Sequence, residues 1–248
     1  MPTDDAGHPE FHTLSVIIPV FNERTTVMQL LRQVANQPVA LHKEIIIVDD
    51  FSTDGTREFL QQTNLQAELG NNSANTVKFA LHEKNMGKGA AVRTGLAQAT
   101  GEIVLIQDAD LEYDPGDYPE LLKPILEGHA DAVFGNRFHS GSHRVQRYYR
   151  FLINRLFSII CNLLTGIAVH DVTACYKVFR RELLERLHLR SDRFSVETEM
   201  TVKVAKLGVR IYEVPIVYHG RTYAEGKKIS WHDGYKALYD LVRYRFKD

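Results

Sequence analysis

The sequence predicts an α/β domain built on a central, mostly parallel sheet flanked by helices. Two observations support this. Apolar runs with few polar interruptions recur through the first half of the chain, as in strands covered on both faces, and helical stretches separate them. Polar and acidic clusters then fall at the ends of those runs: Asn22–Glu23, Asp49–Asp50 and Asp108–Asp110. Open parallel sheets bind ligands at the carboxyl ends of their strands, so these clusters mark the expected site.

The first run is LSVIIPV, Leu14 to Val20, followed by a helical stretch from Thr25 to about Asn36 that stops before Pro38. EIIIVDD, Glu44 to Asp50, is the second, and Ser52, Thr53, Asp54 and Gly55 punctuate the chain before another helix. Residues 76–82 alternate as a third strand, NMGKG opens a helix running to about Ala99, and residues 102–108 form a fourth buried strand. A fifth strand, 131–137, ends in Arg137; the basic loop after it holds Arg144, Arg147 and Arg150.

The helix expected over 151–164 carries Leu152, Leu156, Ile159, Ile160 and Leu163 on one stripe, with Asn154, Ser158, Asn162 and Thr165 on the other. Such a stripe either packs into the core or, led by the arginines before it, lies on lipid head groups. A helix near 196–207, the apolar segment VRIYEVPIVY, a basic loop and a terminal helix complete the chain. Residues 1–12 read as a disordered leader, and 223–248 as the basic loop and C-terminal helix.

With 248 residues, 44% hydrophobic and 25% charged, the chain suits one large α/β domain able to enclose a site. Its 30 basic and 31 acidic residues nearly cancel, so no nucleic-acid partner is expected and any anion-binding surface must be local. Cys161 and Cys175 lack metal-ligand spacing and read as reduced core residues of a cytoplasmic protein. The acidic N-terminus is unlike a secretory signal, and no window holds the roughly 18 uncharged apolar residues of a membrane span. Membrane contact is therefore expected from the side, on the inner face, or through a membrane-protein partner.

QDADLEYD, 107–114, is the sharpest local feature. Extended geometry would place Asp108, Asp110 and Glu112 on one face, where three carboxylates repel unless a cation sits among them. Hard oxygen ligands suit Mg²⁺ or Mn²⁺. In VDDFSTDGT, Asp50 is suited to accept hydrogen bonds from a base or ribose, while Ser52 and Asp54 read as turn and cap residues. Phe21 and Glu23, after the first strand, are placed to stack on and orient a base. KNMGKGAAVRTG lacks the P-loop spacing, so Gly87 and Gly89 read as a tight turn, with Lys88 placed to meet an anion at the helix start.

Taken in order, SVIIPVFNE, IIIVDDFSTDGT, NMGKGAAVRTG and IVLIQDADLEYDP resemble the inverting glycosyltransferases of family 2, closest to the dolichol- and polyprenol-phosphate mannose or glucose synthases. The resemblance spans about residues 13–222 and implies the GT-A fold, with a nucleotide-binding half over about 13–115 and an acceptor half over about 116–222. It makes Pro19, Phe21, Glu23 and Asp50 the nucleoside-binding set. Asp108 and Asp110 become the DxD pair, Ala109 the residue between them at the donor, and Glu112 a further metal ligand. Arg137 in GNR becomes a phosphate contact, and Arg221 and Lys227 become anion contacts from a loop able to close over the donor.

The implied activity is transfer of a hexose from a UDP- or GDP-linked sugar to polyprenyl phosphate, with Mg²⁺ or Mn²⁺ stabilising the departing diphosphate. A glycan, metabolite or protein acceptor is the alternative, and a protein that binds or nucleotidylates sugars without transferring them is a third reading. A hydroxyl acceptor needs a general base, for which Asp171 and Glu197 are the candidates; a phosphate acceptor attacks as an anion, leaving both to position other groups.

Overall fold

In the computed structural model, which describes residues 10–70, 74–138, 148–193, 195–221 and 231–247, the first two strands are β1 (Thr13–Val20) and β2 (His42–Asp49). Their apolar residues divide between two cores. Leu14, Val16, Ile18 and Val20 face one cluster and Ile17 the other, and Ile45 and Ile47 oppose Ile46 and Val48 in the same way. With both faces buried, a strand alternates between two apolar layers, so its sequence reads as one continuous run.

The sheet adds β3 (Asn75–Leu81), β4 (Ile103–Ile106), β5 (Ala132–Asn136), β6 (Lys177–Arg180) and β7 (Ile211–Pro215), in the order β3-β2-β1-β4-β6-β5-β7. β1, β2, β3 and β4 run parallel, whereas β6 pairs antiparallel with both β4 and β5. β6 has only four residues, too few for a legible period, and sequence reasoning passed over it.

Helices α1 (Val27–Asn36), α2 (Thr56–Gln62), α3 (Leu65–Leu69) and α5 (Tyr118–Leu126) close one core. The other is closed by α4 (Lys88–Gln98), α6 (Tyr148–Thr165), α7 (Arg181–Arg186), α8 (Val196–Leu207) and α9 (Trp231–Phe246). Phe11, expected in the disordered leader, is instead buried in the first core with the Arg180 guanidinium near its ring.

Helix α6 reverses one of the two orientations considered for it. Four of the five residues of its apolar stripe face outward, Leu152, Leu156, Ile159 and Leu163 being 53%, 56%, 45% and 80% exposed, while Ile160 packs against the second core. The polar side faces inward because its groups hold the backbone of the segment leading into β6. Asn162 bonds both the N–H and the C=O of Val169, and Ser158 accepts from the Val172 N–H. Asn154 accepts from the Thr173 hydroxyl. Buried polar atoms with backbone partners cost far less than orphaned ones, so the inward polar face is a stable arrangement.

Candidate active site

A cavity of about 330 Å³ opens at the carboxyl ends of β1, β2 and β4. It lies where the strand order turns back, β1 having β2 on one side and β4 on the other. Three of the non-glycine residues with left-handed backbone stand just past these strand ends: Asn22 (φ 53°), Phe51 (φ 64°) and Leu111 (φ 60°). Such strain persists only where the surroundings enforce it. Here side chains stitch the loops together: Ser52 Oγ accepts from Asn22 N–H, Asp54 from Arg24 N–H, and Thr56 Oγ1 from Glu23 N–H. Ser52 and Asp54 therefore do turn chemistry, as their residue types suggested.

Pro19, Phe21, Glu23, Asp50, Lys88, Asp108, Ala109, Asp110, Glu112, Arg137 and Arg221 all line this cavity. Several have work other than that expected. Asp50 receives His82 Nδ1 and the Met86 N–H on one oxygen, and Asn85 Nδ2 and the Gly87 N–H on the other. Those bonds fill the roughly four lone-pair directions of a carboxylate. Asp50 thus fastens the 85–87 turn to β2 while standing on the cavity lining.

Residues 109–112 turn, where the alternation predicts an extended strand end. The three carboxylates take different partners. Lys88 Nζ lies 2.5 Å from Asp108 and 2.6 Å from Glu197, as close ion pairs without hydrogen-bond alignment. Glu112 accepts from the Tyr218 hydroxyl and the Arg221 N–H, tying down the start of the basic loop. Arg221 makes two bonds to Glu23, 2.9 and 3.1 Å, and reaches Asp110 Oδ2 at 3.1 Å. Glu23 is thereby the docking point for Arg221.

Among the described residues no three His, Cys, Asp or Glu side chains form a metal cage, which corrects the expectation of a three-carboxylate set including Glu112. Asp108 and Asp110 still fit a divalent cation. Burial, and then the charges of Asp108 and Glu112, push the Asp110 carboxyl up to about 7 against the pull of Arg221. Such a carboxylate is short of positive charge. Mg²⁺ is held by one or two carboxylates plus substrate phosphates more often than by an all-protein cage, and this pair matches that donor set.

The NMGKG turn is shaped by protein, not by phosphate. A Cβ on Gly89 would lie 2.0 Å from the Ser191 carbonyl oxygen, and one on Gly87 2.3 Å from that of Asp192. The Asp192 carbonyl also accepts from the Ala90 N–H, so the start of α4 already has a partner. Gly89→Ala is expected to lower stability by about 1–3 kcal/mol, as overpacking does. Denaturant unfolding measures this, and a midpoint equal to the parent's would contradict the packing account.

Asp171 and Glu197 do not line the cavity. Asp171 is fully buried and accepts from Arg137 Nε and Nη2, both at 2.7 Å. Glu197 faces Lys88. Neither carboxylate is presented as a general base; both hold cations that do reach the cavity, which corrects the catalytic role considered for them. Lys227, like Arg144 and Arg147, lies outside the described residues.

Sequence reasoning missed Tyr113, Thr173, Cys175, Arg193 and Tyr218, all on the lining. Cys175, expected in the core, is a free, half-buried thiol whose proton burial holds in place, with Asp108 beside it. Tyr113 stands within the QDADLEYD motif, whereas Arg193 belongs to no motif of the sequence analysis.

The profile described as Glycosyl transferase family 2 matches residues 15–188, more than half of the chain. A Haloferax volcanii protein named Glycosyltransferase AglJ is 30% identical over 226 residues, covering 89% of this chain. The Dolichol-phosphate mannosyltransferase of Pyrococcus furiosus is 30% identical over 238 residues, covering 94%. The chain spans 65% and 63% of the lengths of these two relatives. Among solved structures, glucosyl-3-phosphoglycerate synthase from Mycobacterium tuberculosis with UDP superposes with a TM-score of 0.70 at 20% identity, covering 94% of this chain and 80% of that one. Its complex with Mn²⁺, UDP and glucosyl-3-phosphoglycerate gives 0.68 at 21% identity over the same shares. These likenesses agree with the observed sheet: the fold is GT-A, and the chain belongs to glycosyl transferase family 2.

Proposed function

We propose that this chain transfers a hexose from a UDP- or GDP-linked sugar to a polyprenyl phosphate at the inner face of a membrane. The observation that carries the reading is the cavity, where Asp108 and Asp110 stand among Lys88, Arg137 and Arg221 at the sheet's switch point. The Asp110 carboxyl, which burial and its acidic neighbours hold protonated up to about 7, stands beside the guanidinium and ammonium groups that a metal–diphosphate would meet. Structural relatives bound to UDP with Mn²⁺ or Mg²⁺ agree with this.

Bound at Asp108 and Asp110, Mg²⁺ or Mn²⁺ supplies Lewis-acid stabilisation of charge on the leaving diphosphate. The chain's own residues do the rest. Pro19 and Phe21 flank the nucleoside. Arg221 exchanges Asp110 for the diphosphate while Glu23 guides its return. Arg137, fixed by Asp171, holds positive charge near the reacting centre without having to reorganise.

The acceptor reading starts from the two candidate bases. With Asp171 and Glu197 both turned to cations, an acceptor that is already an anion fits better than a hydroxyl group. The outward stripe of α6 supports a lipid-linked acceptor, because its exposed apolar residues lie together on one helix face, as on an interfacial helix. On α9, which packs beside α6, Tyr239, Val242 and Phe246 are also exposed. Among the described residues no helix is long and apolar enough to cross a membrane, so contact would be interfacial.

Incubation with UDP- and GDP-hexoses, Mn²⁺ and farnesyl phosphate, followed by mass spectrometry, is expected to yield a hexosyl-phosphate lipid from one donor. Faster transfer to farnesol or to a soluble sugar would reject the acceptor assignment. The double variant Leu156→Asp/Leu163→Asp is expected to sediment with anionic phospholipid vesicles about tenfold less than the parent, while turnover of a short soluble acceptor stays within about twofold. Equal sedimentation would remove α6 from the membrane surface.

A further inference from the structure

The segment before α8 brings to the cavity a cation that no motif announced. Glu199 accepts from the N–H groups of Arg190 and Ser191 at 2.8 and 2.7 Å. Arg93 donates to the Ser191 carbonyl and the Asp192 carboxylate, and the Ala90 N–H donates to the Asp192 carbonyl. The Ser191 hydroxyl meets the Tyr244 hydroxyl of α9 at 2.7 Å. Three helices, α4, α8 and α9, thus fix this strap, and a mount held from several sides presents a side chain with little ordering cost.

The next residue is Arg193. It lines the cavity with its stem against Gly87 and stays exposed. The other cations on the lining are committed: Lys88 to Asp108 and Glu197, Arg137 to Asp171, and Arg221 to Glu23 and Asp110. Arg193 has no ion pair of that kind among the described residues. An incoming phosphate therefore finds three cations already neutralised and one guanidinium fork available. That fork matches the paired oxygens of a phosphate.

We infer that Arg193 is a phosphate-binding residue of this cavity, taking either the diphosphate of the donor or the phosphate monoester of the acceptor. The inference rests on the transferase reading above. It predicts that the committed cations keep the site assembled while Arg193 discriminates phosphorylated ligands from their unphosphorylated counterparts.

Isothermal titration of the parent, Arg193→Ala and Arg193→Lys tests it. The ligands are UDP and GDP, their nucleosides, and, on nucleotide-saturated protein, citronellyl phosphate and citronellol. Arg193→Ala is expected to weaken the nucleoside diphosphate or the lipid phosphate by about tenfold, leaving nucleoside and alcohol within about twofold, with Arg193→Lys in between. Whichever phosphate is lost identifies the source. Unchanged affinity for both phosphates, or equal loss for nucleoside or alcohol, overturns the inference. If the parent binds neither nucleotide nor lipid phosphate, the transferase reading fails, and Mn²⁺–pyrophosphate then decides for Arg193 alone. A tenfold difference between parent and Arg193→Ala supports it, and none overturns it.

Discussion

Asp171→Ala is expected to cost about 3–5 kcal/mol of folding stability, the penalty for stranding a buried charge. Arg137 is only 8% exposed, and both of its short bonds to a carboxylate end on Asp171. Removing that carboxylate leaves a guanidinium with Thr173 as its remaining hydrogen-bond partner on that side. For a domain of this size the loss corresponds to a fall of roughly 10 °C in the unfolding midpoint. The double variant Arg137→Met/Asp171→Leu, which removes both charges, is expected to recover part of it. Scanning calorimetry distinguishes this from the general-base reading, under which Asp171→Ala would unfold like the parent while losing only turnover.

Asp110→Asn is expected to separate activity from stability. Transfer should fall by about 10²–10³-fold, the usual loss when a group acting on developing charge is removed. Stability should move the other way at neutral and higher pH. The folded-state pKa of Asp110 is raised to about 7, so its contribution is favourable below its unfolded value and is lost as the pH rises through 7. The amide carries no such penalty. The variant should therefore melt above the parent at pH 8, with the difference closing towards pH 4. Thermal unfolding at both pH values checks the sign, and a lower melting point at pH 8 would contradict it.

Much of the fold was legible because the physics that builds it is local. Buried parallel strands announce themselves as apolar runs, and β1, β2 and β3 fall close to where those runs lie. The lining residues from strand ends, such as Glu23, Asp108 and Asp110, were legible for the same reason. What could not be read was partnership across the sheet. Nothing in VDDFSTDGT reveals that Asp50 meets His82 and the 85–87 turn, and nothing in QDADLEYD reveals the left-handed Leu111 or the separate partners of its three carboxylates. The spacing of α6 showed two unlike faces, but which one faces the core depends on the Val169 and Val172 backbone groups waiting there. Arg193 follows the same logic. Its availability is visible only after the other cations have been paired.

The most direct test is electron paramagnetic resonance of Mn²⁺ titrated into the protein with and without UDP or GDP. The account predicts weak binding of the ion alone, tightened at least about tenfold by one of the two nucleotides and abolished in Asp110→Asn. Binding that ignores both nucleotides, or that survives the loss of the carboxylate at 110, would contradict it.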